Sequence, residues 1–113
     1  MGPFDLTLMD AGAYDSLWAD MHLGPEQAVR ANLMLGGGLY IPVHWGTFDL
    51  ALHSWTDPVE RLLVAAKRGG VSVSVPRPGE SVEPDTPPPL NKWWPDVPDQ
   101  SAEEAPIVSS ELE

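Results

Sequence analysis

The sequence predicts an α/β fold of strand–helix–strand–helix–strand order, followed by an extended acidic tail. Three observations carry this expectation. Along residues 4–75, stretches with apolar residues at every second position or in compact runs alternate with stretches at helical spacing. Glycine clusters at 36–38 and 69–70 close the two helical stretches. From Pro76 onward the composition turns to proline, acid and serine.

Phe4 to Met9 alternates apolar and polar residues and reads as the first strand, with Asp10-Ala-Gly-Ala-Tyr14 as the loop at its end. Residues 15–23 are irregular; Trp18, Met21 and His22 either line a pocket or cover a core. Gly24-Pro25-Glu26 opens a helix, with proline at the first helical position and an acid in the first turn. Ala28, Val29, Leu33 and Leu35 form its expected apolar face, and Gly36-Gly37-Gly38 its expected stop. Leu39 to Val43 is compact and apolar, as a sheet-interior strand should be. Asp57-Pro58-Val59-Glu60 starts the second helix with a capping-box-like acid, and Val59, Leu62, Leu63 and Ala66 repeat at i, i+3, i+4, i+7. Lys67 and Arg68 suit its last turn. Val71 to Val75 alternates strictly and predicts a third strand near an edge. This order implies parallel pairing, and so few strands leave a thin sheet that needs another layer.

Charge is distributed unevenly. The chain carries 6 Lys+Arg against 17 Asp+Glu, a net of −11. Residues 79–113 hold nine of those acids and a single base, Lys92, so most of the charge belongs to the tail. No basic face for nucleic acid is visible. The absence of cysteine excludes disulfides and thiolate metal sites and is compatible with the reducing cytoplasm, where we expect the protein. No signal peptide and no apolar run long enough for a membrane span is seen. Nine of 13 prolines lie in residues 76–113, so we expect a disordered acidic, proline-rich tail over 82–113. Trp93-Trp94 either folds back onto the domain, the reading we favour, or docks a partner.

The stretch from Ile41 to His53 concentrates the candidate chemistry. His44 stands at the tip of an apolar strand, just ahead of Trp45 and Gly46. It reads either as a metal ligand or acid/base group, or as a histidine satisfied by a backbone carbonyl. His22 fits a surface or supporting position, and His53 a structural one. Asp10, at a strand end, reads equally as a site residue and as a loop solvator. A catalytic zinc takes about three protein ligands plus water. The sequence holds three histidines without His-x-His or His-x-x-x-His spacing, and no nucleophile elbow, phosphate loop or dinucleotide fingerprint. We therefore assign no catalytic residue.

Taken together, Gly-Pro-Phe-Asp-Leu at 2–6, Gly-Ala-Tyr at 12–14, Trp18, His22 with Pro25-Glu26-Gln27-Ala28, and Pro42-Val-His-Trp-Gly-Thr-Phe48 form a pattern. The pattern resembles the C-terminal part of metallo-β-lactamase-fold hydrolases related to N-acylphosphatidylethanolamine-hydrolysing phospholipase D. It covers residues 2–80 approximately, so residues 1–81 read as the C-terminal portion of such a domain.

The resemblance implies an αββα sandwich holding one or two metal ions, commonly zinc, and a phosphodiester or lipid substrate. His44 matches the last metal-ligating histidine, His22 a histidine lining the cleft, and Tyr14 and Trp18 fall where the cleft is shaped. The family's His-x-His-x-Asp-His motif, its middle histidine and its bridging aspartate lie N-terminal to the match and are absent from this sequence. The expectation is a C-terminal fragment of a zinc-dependent hydrolase, inactive alone; a further possibility is complementation by a separately encoded N-terminal half of the same fold. The alternative is a non-catalytic interaction protein that docks a partner through the Trp93-Trp94 tail.

Overall fold

The computed structural model describes residues 2–109. Strand β1 (Phe4–Asp10) is followed by a short 3-10 turn (Ser16–Trp18), helix α1 (Pro25–Met34), strand β2 (Gly37–Val43) and helix α2 (Asp57–Gly69). The two strands pair in parallel with Leu6 opposite Leu39, Leu8 opposite Ile41 and Asp10 opposite Val43. Side chains alternate across the pleat. Thr7 and Tyr40 face the helices and are buried, while Phe4, Leu6 and Leu8 face away and are exposed.

Both helices begin as their sequences suggest. Pro25 occupies the first turn of α1, and the Gly24 N–H donates to Gln27 Oε1 at 2.8 Å. Helix α2 has Asp57 and Glu60 in its first turn and Lys67 and Arg68 in its last, complementing the helix dipole at both ends. Gly70 closes it at φ 69°. The main core joins Ala11, Ala28, Val29, Tyr40, Leu62 and Ala66. A second cluster joins Val59, Val75 and Trp94.

Several expectations need correction. Leu33 and Leu35 do not line the core side of α1; they are 52% and 39% exposed. The buried face runs through Pro25, Ala28, Val29 and Asn32, with Asn32 Oδ1 accepting from Thr7 Oγ1. Of the three glycines meant to stop α1, Gly37 and Gly38 belong to β2. A Cβ on Gly38 would lie 2.7 Å from the Asp5 carbonyl oxygen, so glycine here permits close strand approach.

The third strand reduces to one bridge, Tyr40 to Val73, within an otherwise irregular segment. Tyr40 N–H donates to the Ser72 carbonyl and Ser74 N–H to the Tyr40 carbonyl, both at 2.9 Å. The next donor on that side of β2 would come from residue 42, which is proline and has no N–H. The ladder stops there, and the sheet among the described residues has two strands.

Composition led us to expect a disordered tail. Residues 82–109 contain neither helix nor strand, yet they lie against the domain at several points. Trp94 is 4% exposed, its Nε1 donating to Glu60 Oε1 at 2.9 Å. Trp93 Nε1 donates to the Val75 carbonyl at 2.9 Å. The folded-back arrangement buries aromatic area that a free tail would leave in water.

A buried polar network joins the two helices to the loop after β1. Arg61 Nε donates to Glu26 Oε1 at 2.8 Å, and its Nη1 lies 3.7 Å from Asp57 Oδ2. Its guanidinium carbon sits 5.3 Å from the Tyr14 ring centroid. Tyr14 donates its hydroxyl proton to Asp57 Oδ2, and Asp57 Oδ1 accepts the Gln100 N–H at 2.8 Å.

Arg61→Met would leave Asp57, only 2% exposed, beside no cation. It should cost about 3 kcal/mol in urea unfolding. Burial, and then the hydrogen bond to Asp57, push the Tyr14 phenol above the usual tyrosine range. The folded state therefore keeps this proton where the unfolded chain, ionising near about pH 10, has released it. Stability from Tyr14 is complete below that pH and falls as pH rises beyond it, by up to about 1.4 kcal/mol per unit. Tyr14→Phe should lower stability at neutral pH but flatten this alkaline slope, as measured by unfolding between about pH 9 and 11.

Candidate metal centre

Parallel pairing in register brings the C-terminal ends of β1 and β2 to the same level. Asp10 stands opposite Val43, and the Ala11 N–H donates to the Val43 carbonyl at 3.1 Å. His44 follows with φ 64°, a left-handed conformation uncommon outside glycine. Gly12 crosses directly against it: a Cβ on Gly12 would collide with the His44 carbonyl. The glycine of Gly-Ala-Tyr is thus required by the approach of one backbone to another. Its N–H donates to Asp10 Oδ1 at 3.1 Å, which holds the carboxylate at the strand end.

His22 arrives from the irregular segment after the 3-10 turn. Its Nδ1 lies 2.9 Å from Asp10 Oδ2, and its ring stacks on His44 with centroids 4.8 Å apart and planes 24° from parallel. Donor atoms of Asp10, His22 and His44 all fall within 4.8 Å of one another. Asp10 and His22 are half-buried and His44 is exposed. Among the described residues this is the group of three His, Cys, Asp or Glu side chains able to hold a metal ion.

The donor chemistry fits zinc. Ligands about 2.0–2.1 Å from a tetrahedral ion stand about 3.3 Å apart, so modest side-chain rotation closes the present spacing. Were His22 to donate to Asp10 Oδ2 from Nδ1, its Nε2 lone pair would be left for a metal. A groove of about 560 Å³ opens beside Asp10 and His22, with Met21, Leu23, Met34 and Arg30 in its walls.

His44 and His22 therefore come together, and Asp10 joins them. Tyr14 does not face this group. It is 2% exposed, bonded to Asp57 and stacked on His53 at 4.2 Å, because its hydroxyl and ring meet partners under the loop. Trp18 donates its indole N–H to the Ala13 carbonyl at 2.9 Å and so pins the turn after β1. His53 Nδ1 lies 2.8 Å from the Ser54 carbonyl, and its Nε2 is buried without a hydrogen-bond partner. The reading of residue types alone left Asp10 undecided and overlooked Gly12. Both follow from the parallel pairing, which places the residues after two neighbouring strands at one edge.

Residues 1–45 match the family described as beta-lactamase superfamily domain. Over 96 residues, 82% of this chain, the sequence is 55% identical to uncharacterized proteins of Mycobacterium tuberculosis and Mycobacterium bovis. It is 35% identical over 65 residues to N-acyl-phosphatidylethanolamine-hydrolyzing phospholipase D 1 of Caenorhabditis elegans, covering 55% of this chain and 18% of that protein. The chain spans about a quarter of the length of the mycobacterial relatives, 26%. With Asp10, His22 and His44 gathered at the end of a parallel strand pair, these partial matches support a relation to the metallo-β-lactamase fold.

Proposed function

We propose that this chain is the C-terminal part of a zinc-dependent hydrolase acting on a phosphodiester or lipid, and that it is inactive alone. The observation that carries the proposal is the convergence of Asp10, His22 and His44 at one sheet edge. His44 and the Nε2 of His22 offer nitrogen donors, while Asp10 orients His22 through Nδ1. The chemistry zinc supplies when bound is Lewis acidity toward a phosphoryl oxygen. The groove beside Asp10 and His22 is walled by Met21, Leu23 and Met34, which suits an acyl chain. Arg30 in the same wall suits a phosphate.

With Asp10 orienting His22 rather than binding the ion, His44 and His22 supply two ligands, short of the about three that a catalytic zinc takes, which is why we assign no catalytic residue and expect no turnover. The missing ligands would come from an N-terminal half of the same fold, packed on the exposed apolar face of Phe4, Leu6 and Leu8. A docking role for Trp93-Trp94 is disfavoured by the burial of Trp94 and by the hydrogen bonds that hold both indoles.

Co²⁺ titration followed by absorbance should show binding to the full chain that His44→Ala abolishes. Asp10→Asn should weaken it by about 10–100-fold while leaving the fold intact by circular dichroism. Binding unaffected by both substitutions would refute the assignment. Assayed with Zn²⁺ and a chromogenic phosphodiester, the chain should give no turnover above buffer; turnover lost in His44→Ala would show that it is active unaided.

A further inference from the structure

We infer that Trp93, Trp94 and Asp99 in the acidic tail are positioning residues that fix the loop carrying His44. The loop between β2 and α2 has little regular structure of its own, and Phe48, Leu50 and Leu52 project from it with 76%, 62% and 76% exposure. Inside it, Trp55 lies beside Gly46, and His53 stacks on Tyr14. The tail grips it near both ends.

At the first end, Trp45 directly follows His44. Its ring lies 5.6 Å from that of Trp93 and 5.7 Å from that of Trp94, the latter edge-on at 86°. The two tail rings are themselves 5.6 Å apart and nearly perpendicular. Each indole is tied elsewhere, Trp93 to the Val75 carbonyl and Trp94 to Glu60 on α2. Trp45 is thus packed against a pair of rings anchored to the body of the domain.

At the second end, the Asp99 carboxylate accepts from Thr56 Oγ1 at 2.9 Å and from Ser54 Oγ. Ser54 Oγ in turn accepts the Asp57 N–H at 3.1 Å, at the first residue of α2. The following tail residue continues the grip, with the Gln100 N–H on Asp57. The loop is therefore clamped at Trp45 and at Ser54–Thr56 by residues about 40–50 positions later in the chain. His44 gains most from this. Its φ of 64° is a conformation that persists only when surroundings impose it, and Trp45 and Gly12 are the neighbours that do so.

The consequence for metal binding rests on the assignment of His44 as a ligand; the clamp itself does not. The experiment uses the full chain with Asp99→Ala, Trp93→Ala and the conservative Trp93→Phe. Hydrogen exchange of amides 45–56 should quicken by about tenfold in Asp99→Ala, which removes two charge-assisted hydrogen bonds, while exchange in α1 stays as it was. Trp93→Ala should quicken the same amides, and Trp93→Phe should restore most of the protection. Co²⁺ affinity should fall in the Ala variants and recover in Trp93→Phe. Unchanged exchange over 45–56 in Asp99→Ala overturns the proposal, whether or not Trp93→Ala still folds. Absence of Co²⁺ binding by the unaltered chain would instead count against the ligand assignment, with hydrogen exchange still deciding the clamp.

Discussion

Asp10 and His44 can meet only because β1 and β2 run parallel in one register. Each strand ends at the same edge, and the residue leaving one lies beside the residue leaving the other. A slip of β1 by one position would turn Thr7 away from the helices and carry the Asp10 carboxylate to the opposite face. That slip is resisted by the Thr7–Asn32 hydrogen bond and by the burial of Tyr40 among Ala28, Val29, Leu62 and Ala66. The metal-capable edge is thus held by contacts on the helix side of the sheet, some distance along the strands from the donors themselves.

Below that edge the chain relies on charge as much as on apolar area. Two helices over two strands bury a small core, and the junction of α1, α2 and the loop after β1 is filled by Arg61, Asp57, Glu26 and Tyr14. Such a group is expensive to desolvate and costlier to break than to keep, so it fixes one arrangement of the helices more sharply than a greasy contact would. Tyr14 also supports His53 by stacking, which carries the constraint into the loop that bears His44. Tyr14 also lines a cavity with Leu52, His53 and Asp57.

Much of this was legible in the residues. Alternation in Phe4–Met9, the Gly24-Pro25 start, and the i, i+3, i+4, i+7 spacing of Val59, Leu62 and Ala66 correspond to β1, α1 and the buried face of α2. Strict alternation in Val71–Val75 misled, because a strand needs a partner with donors and Pro42 withholds one. Leu33 and Leu35 misled because hydropathy cannot tell which face a helix turns inward; here Asn32 takes that place by finding Thr7. His44 and His22 were visible as residue types, whereas Asp10 and Gly12 acquire meaning only through register and backbone approach. Composition reported the tail's lack of helix and strand, and the paired tryptophans pointed to the fold-back in which Trp93 and Trp94 lie against the domain.

The two faces of the sheet then differ in kind. Helices and returning tail cover one side with the chain's own residues, and Trp94 is sealed there. The other side presents Phe4, Leu6 and Leu8 at 39%, 37% and 61% exposure, with Val43 at 38% at its end. Leu39, paired with Leu6 on this side, is only 6% exposed, so the exposure lies mainly along β1 and at the end of β2. Asp10, His22 and His44 lie at the edge between the covered and bare faces, open on one side because His44 is exposed.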